Sequence, residues 1–380
     1  MIRVLVADDS RAFRAILRTI LGRSPEIEVV GEAQDGHEAV SQVLALRPDV
    51  VTMDVRMPNK DGLEALEEIM RRRPTPVVVV SSEAGTPEKQ EVSFRALELG
   101  AVEVLAKPRA DVRGRFEKEA EEIRMAVRAV AGLKLVTRHR RNPRAAATAA
   151  AAATLSPPPP GIGQGVERTT TGSWALKSAP TTPLQPLAAN APRVLGIAAS
   201  TGGPAALAKI LRDLPAGFPI PMLVVQHIAE GFEAGLVHWL GGETPLHVKL
   251  AENGEPLRGG TMYIAPSGSH LGASNGTVLL LDGEPVRGFR PSGTVLFRHL
   301  AQEYGRSAAG LVLSGMGDDG ADGLKLLRDR GAWTGAQGPQ SSVVYGMPRV
   351  AAEKGAVIAT MELDEIAAAL VKLSRGMGVA

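Results

Sequence analysis

The sequence predicts two α/β domains, each built on a mostly parallel sheet, and three observations point there. Apolar runs alternate with helical patterns over residues 1–132, and the alternation resumes from 192. Those runs are nearly continuous in Val, Ile, Leu and Ala, as strands buried on both faces require. Between them, residues 133–191 carry neither period.

In the first domain the strand runs are IRVLVAD, EVVGEA, DVVTMD, PVVVVSS and VEVLAKP. Helical patterns such as AFRAILRTIL and GLEALEEIMRR separate them, so five βα units are expected. The middle stretch turns basic at Arg138, Arg140, Arg141 and Arg144, then Ala-rich, then runs through four prolines. It reads as a flexible tether with a short polyproline segment. No aromatics interleave its arginines, which argues against a nucleic-acid patch. In the second domain VLGIAAS, PMLVVQH, AGLVLSG, GAWTGAQ and GAVIAT read as strands. GGTMYIAPSGSHLGASNGTVLLLDG has period-two stretches around a Ser-Asn-Gly turn, so an antiparallel hairpin added to the parallel sheet is expected.

Composition narrows the function. A length of 380 residues suits two domains or three, and 44% hydrophobic residues suffice for their cores. A net charge of +2 gives no electrostatic case for nucleic acid. The absence of Cys removes disulfides, thiolate metal sites and a Cys nucleophile. The N-terminus is acidic where a signal peptide would be apolar, and no apolar run approaches the ~18 residues of a membrane span. A cytoplasmic protein is expected.

Ligands of an open α/β sheet sit beyond the carboxyl ends of its strands. In the first domain those ends bear Asp8 and Asp9, Asp54, Ser81 and Lys107. Three carboxylates gathered at one edge repel unless a cation neutralises them, and hard oxygen ligands suit Mg²⁺. Asp54 is then a candidate nucleophile toward phosphate, with Lys107 as its point charge and Ser81 as a hydrogen-bond donor to phosphoryl oxygen.

VLVADDS, DVVTMDVRMPNKDGLEAL, VVVVSS and VEVLAKP, in that order, resemble a response-regulator receiver domain. The resemblance implies a flavodoxin-like (βα)5 fold, phosphorylation of Asp54 by a histidine kinase, and Mg²⁺ held by Asp8, Asp9 and Asp54. Two residues depart from the pattern. Lys60 stands where an apolar residue is common, and Val104 replaces the aromatic of the usual activation switch.

In the second domain, Ser200 ends a strand and is followed by Thr201-Gly202-Gly203-Pro204. A serine nucleophile needs a base, and the base an orienting acid. Of seven His, only His227 ends a strand next in order to that of Ser200. His37, His139, His238, His247, His270 and His299 fall in the first domain, the tether, helical segments or the hairpin region. GLVLSGMGDDGADGL offers the acid as Asp318 or Asp319, on a Gly-rich loop whose amides could also hold an oxyanion. The G-x-S-x-G elbow of many hydrolases is absent.

GIAASTGGP, VVQH, GGTMYIAPSGSHL, FRPSGTVLF, GLVLSGMGDDGADGL and SSVVYGMPRVAAEKG resemble, together and in order, the catalytic domain of the chemotaxis protein-glutamate methylesterases, the CheB family. The resemblance covers about 192–373. It implies a triad of Ser200, His227 and Asp319, with the Met316 amide as oxyanion donor and no metal for ester hydrolysis. Its implied substrates are glutamate γ-methyl esters, and receptor glutamines, on the helical cytoplasmic bundle of chemoreceptors. The enzyme would meet the membrane only through those receptors. From the two-domain layout, the unphosphorylated receiver is expected to occlude the catalytic mouth. Ile228, Ala229-Glu230, Phe289 and Thr294 depart from the pattern and are expected to bear on recognition without touching the triad. Two rival readings stand beside this one. A DNA-binding output domain would need a basic recognition helix, and none is visible after 192. The same triad acting on a receptor of a non-chemotaxis signalling system is the other.

Overall fold

The computed structural model describes residues 1–81, 87–108, 115–133 and 183–379. Most of the expected tether therefore lies outside the described residues, as does Ser82. Residues 183–191 carry no helix or strand. Among the described residues no helix is long and apolar enough to cross a membrane.

The first sheet contains β1 (Ile2–Ala7), β2 (Ile27–Ala33), β3 (Val50–Met53), β4 (Val77–Ser81) and β5 (Glu103–Ala106), all parallel, in the order β2-β1-β3-β4-β5. Helices α1 (Arg11–Gly22), α2 (Gly36–Leu46), α3 (Gly62–Arg72), α4 (Pro87–Glu98) and α5 (Arg115–Val130) follow the strands. The all-buried β3 and β4 explain the unbroken Val runs. Amphipathic α1 buries Phe13, Leu17, Ile20 and Leu21, and a capping box of Asp61 and Glu64 starts α3.

The second sheet has seven parallel strands: β6 (Val194–Ala199), β7 (Met222–Gln226), β8 (His247–Leu250), β9 (Thr261–Ile264), β12 (Ala308–Val312), β13 (Trp333–Gln337) and β14 (Ala359–Met361). Their order is β14-β13-β12-β6-β7-β9-β8. The helices are α6 (Gly203–Asp213), α7 (Glu233–Glu243), α8 (Gly293–Glu303), α9 (Ala321–Asp329), α10 (Met347–Glu353) and α11 (Leu363–Ser374).

The hairpin forms at the expected Ser-Asn-Gly turn, but it does not extend the parallel sheet. β10 (His270–Ser274) and β11 (Thr277–Leu281) pair antiparallel through Asn275 and Gly276, both at positive φ, as a tight hairpin turn requires. They make a separate two-stranded sheet rather than extending the seven-stranded one. The reason is packing. Leu271, Ala273 and Val278 bury against Leu296, Phe297 and Leu300 of α8, so the hairpin covers a helix. TMYI, read within the hairpin region, is instead the parallel strand β9, buried along its whole length between β7 and β8.

The two domains touch through α4 and α7. Phe94 stacks on Trp239 (ring centroids 5.8 Å apart, 15° between planes) and meets Phe232 edge-on at 6.5 Å. Trp239 Nε1 donates to Glu98 Oε1 at 2.8 Å. All three rings are buried, each burial worth about 1.5–3 kcal/mol by area alone.

Candidate functional site

Strand order reverses at β1/β3 in the first sheet and at β6/β12 in the second. Both switch points carry clusters of polar side chains at the carboxyl edge.

At the first edge the ligand oxygens of Asp8, Asp9 and Asp54 lie within 4.8 Å of one another. Lys107 Nζ reaches both Asp8 Oδ2 and Asp54 Oδ2 at 2.7 Å. Asp8 and Asp54 are buried and Asp9 is exposed. Burial pushes the Asp54 carboxyl above its ordinary range, Asp8 adds to the rise, and Lys107 opposes it. Ser81 ends β4 on the same edge, paired in register with Ala106, and its carbonyl accepts from Lys107 N. Val104 is buried in β5.

At the second edge β6 and β7 pair with Ala199 opposite Gln226, which sets Ser200 and His227 side by side. Gly202 (φ +77°) turns the chain into α6, and a Cβ there would strike Val343 at 2.6 Å. Gln226 Nε2 donates to both the Ser200 carbonyl (2.9 Å) and the His227 carbonyl (2.8 Å), tying the two residues to one amide. His227 Nε2 donates to Asp319 Oδ2 at 2.9 Å. Among the described residues His227 Nδ1 has no hydrogen-bond partner, so the contact with Ser200 is open here.

The loop also chooses between the two aspartates. Asp318 is partly exposed and pairs with Arg287, which also holds Asp322 at 2.9 Å. Asp319 is 1% exposed and sits at the N-terminus of α8. It accepts from Ser292 Oγ (2.7 Å), Gly293 N (2.7 Å) and Thr294 N (3.0 Å) as well as His227. The acid thus takes up the unpaired amides of a helix end and gains from its dipole. Burial alone would raise its pKa. The His227 hydrogen bond and charge, with the Ser292 and Thr294 groups, hold it below the ordinary range instead.

Met316 follows a pinned residue: Gly315 N donates to Val344 O, and Gly346 N and Met347 N donate to Gly315 O. A Cβ on Gly315 would come within 2.8 Å of Ser200 Cβ, so this loop lies directly against the serine.

One expectation is overturned. Phe289 and Thr294 do touch the triad. Phe289 stacks on the His227 ring (3.9 Å between centroids, 4° between planes), and Thr294 donates its amide to Asp319 while its Oγ1 accepts from Gly320 N. Sequence reasoning also missed Gln226 and Ser292. Ser292 sits at the N-cap of α8 yet makes no side-chain cap bond, because its hydroxyl is turned to Asp319. A serine ahead of a helical run reads from sequence as that helix's own cap.

A cavity of about 470 Å³ joins the two domains at this edge. Ser200, Thr201, His227, Phe289 and Met316 line one side, and Glu103, Val104, Lys118 and Glu122 the other. The receiver-like domain therefore lies over the serine.

Residues 195–370 match the family described as CheB methylesterase, and residues 4–115 the response regulator receiver domain. Three relatives align over nearly the whole chain. "Protein-glutamate methylesterase/protein-glutamine glutaminase 2" of Anaeromyxobacter dehalogenans is 42% identical over 98% of this chain and 97% of its own length. Number 4 of Myxococcus xanthus is 42% identical over 99% and 98%. Number 1 of Syntrophus aciditrophicus is 40% identical over 98% and 99%.

Proposed function

The chain belongs to the CheB methylesterase family, and on that premise we propose that it removes γ-methyl esters from glutamates, and amide groups from glutamines, on the helical cytoplasmic bundle of chemoreceptors, under control of phosphorylation at Asp54. A receptor from a non-chemotaxis system is not favoured, because full-length relatives carry the methylesterase/glutaminase name. The reading places the protein in the cytoplasm, where receptor bundles and a histidine kinase are accessible. It takes 1–132 as receiver, 133–191 as flexible tether and 192–380 as catalytic domain.

His227 Nδ1 takes the Ser200 proton while Oγ bonds to the ester carbonyl carbon. The carbonyl electrons move to oxygen, which the Met316 amide stabilises; one such donor is worth about 2.7–4 kcal/mol. Collapse breaks the bond to methoxide, which leaves as methanol with the proton from His227. Water then attacks the acyl-serine by the same base and releases a free carboxylate and Ser200. With glutamine the leaving group is ammonia. Asp319 keeps the ring oriented and stabilises its charged form, remaining ionised itself. The observation that carries this reading is Asp319, buried, multiply hydrogen-bonded and bound to His227 beside Ser200.

At the receiver edge, Asp8, Asp9 and Asp54 fit a divalent cation. Their oxygens converge, and burial raises the Asp54 pKa further than Lys107 lowers it, with the Asp8 charge adding to the rise. Mg²⁺ bound there would neutralise phosphoryl and carboxylate oxygens. Asp54 Oδ accepts the phosphoryl group, with Lys107 and Ser81 as partners of its oxygens.

The test is methanol release from a methylated receptor fragment, with and without an acyl-phosphate donor and Mg²⁺. Release that rises with the donor and vanishes in Ser200→Ala is expected. Release equal to the Ser200→Ala background on several receptors would overturn the reading.

A further inference from the structure

The motif GGTMYIAPSGSHL ends in a histidine and a leucine, and the mechanism above has no use for the histidine. His270 begins β10 and is 2% exposed. Both of its ring nitrogens are engaged. Nδ1 accepts from the Ser292 amide at 3.2 Å, and Nε2 donates to the Glu284 carbonyl at 3.1 Å. An amide only donates and a carbonyl only accepts, so the two partners fix the tautomer, with the proton on Nε2.

Those partners bound the segment 284–292, which meets the triad twice. Phe289 stacks on the His227 ring. Ser292 donates its Oγ to Asp319 Oδ1, and Gly293 N and Thr294 N follow it onto the same carboxylate. Between its ends the segment runs along the surface: Pro285, Arg287, Gly288 and Arg290 are exposed, and Val286 and Phe289 exchange backbone bonds with each other at 3.0 Å. Arg287 ties it to Asp318 and Asp322, but these ion pairs are open to water, where such pairs contribute little. The bond from Ser292 N to His270 is buried. A buried amide without that acceptor would be costly, so the imidazole holds Ser292 in place.

We propose that His270 is a positioning residue for the triad: it clamps both ends of segment 284–292, and thereby sets Ser292 against Asp319 and Phe289 against His227. The inference rests on the methylesterase reading and adds a residue to it. His270 acts on the triad through those two residues.

The experiment measures kcat and KM for methanol release by the full chain on a methylated receptor fragment, with an acyl-phosphate donor and Mg²⁺. Wild type and Ser200→Ala are the controls; equal release by the two would overturn the methylesterase reading, and this proposal with it. His270→Leu removes both bonds. Its kcat is expected to fall about tenfold with KM within about twofold of wild type. His270→Asn keeps an acceptor near the Nδ1 position, and His270→Gln a donor near the Nε2 position. Asn is expected to recover more kcat than Gln, because the Ser292 link serves the acid and the Glu284 link the stacked ring. That comparison stands by itself if leucine prevents folding. His270→Leu combined with Ser292→Ala is expected to cost well under the product of the two single losses, since both act on one bond to Asp319. Unchanged kcat in His270→Leu, a change in KM alone, no advantage of Asn over Gln, or losses that multiply would each overturn the proposal.

Discussion

The two carboxyl edges of this molecule hold the same residue type in opposite electrostatic states. Asp54 and Asp319 are both buried aspartates at strand-order switch points. Asp54 has two other carboxylates and one lysine for company, and burial raises its pKa. Asp319 has a histidine, a hydroxyl and two helix amides, and these overcome the same penalty. Burial is common to both, so what decides is the number of donors the fold aims at the carboxylate. An uncompensated site is suited to receive a cation and a phosphoryl group. A compensated one is suited to hold a histidine still.

The largest expected effects sharpen the contrast by removing its chemistry. Ser200→Ala and Asp319→Asn should each lower kcat for methanol release by at least about 10³-fold. Asp54→Asn should abolish the donor response, and so should chelation of Mg²⁺, while Ser200 variants should still take up the phosphoryl group, measured by incorporation from a labelled donor.

A smaller effect probes the donors. Ser292→Ala removes one hydroxyl from Asp319 and should lower kcat about tenfold with little change in KM, on the scale of a hydrogen bond to a charged group. A KM change alone would mean that Ser292 shapes binding instead. Phe289→Leu removes the ring stacked on His227 and should cost only a few-fold in kcat.

The smallest effect is read in stability against pH, and here the two aspartates should oppose each other. Asp319 has a depressed folded pKa. Its contribution is present above the ordinary aspartate value of 3.8 and is lost as pH falls below it. Asp54 has a raised folded pKa, so its contribution declines as pH rises above 3.8. Mg²⁺ should therefore raise the receiver's melting temperature at pH 8 and lose that effect near pH 4. Equal Mg²⁺ stabilisation at both pH values would break the comparison.

Much of this was legible in the chain. Unbroken Val-rich runs alternating with helical patterns specify parallel sheets because a strand covered on both faces has no polar side to show. Polar residues at the ends of those runs then mark the ligand edge, so Asp8, Asp54, Lys107, Ser200 and His227 stand out by position alone. Asn275-Gly276 likewise announces a hairpin, since few other pairs accept its backbone angles. The choice of Asp319 over Asp318 came from family resemblance; its physical ground is the N-terminus of α8, distant in sequence. Ser292, Gln226, Phe289 and Glu103 are ordinary residues in their local settings. Only the tertiary structure turns a helix-cap serine toward a distant carboxylate, lays a phenylalanine on His227, and brings Glu103 into the cavity that Ser200 lines. Periodicity records which face of an element is buried, while side-chain partners depend on which elements meet, and that is decided by packing across the whole chain.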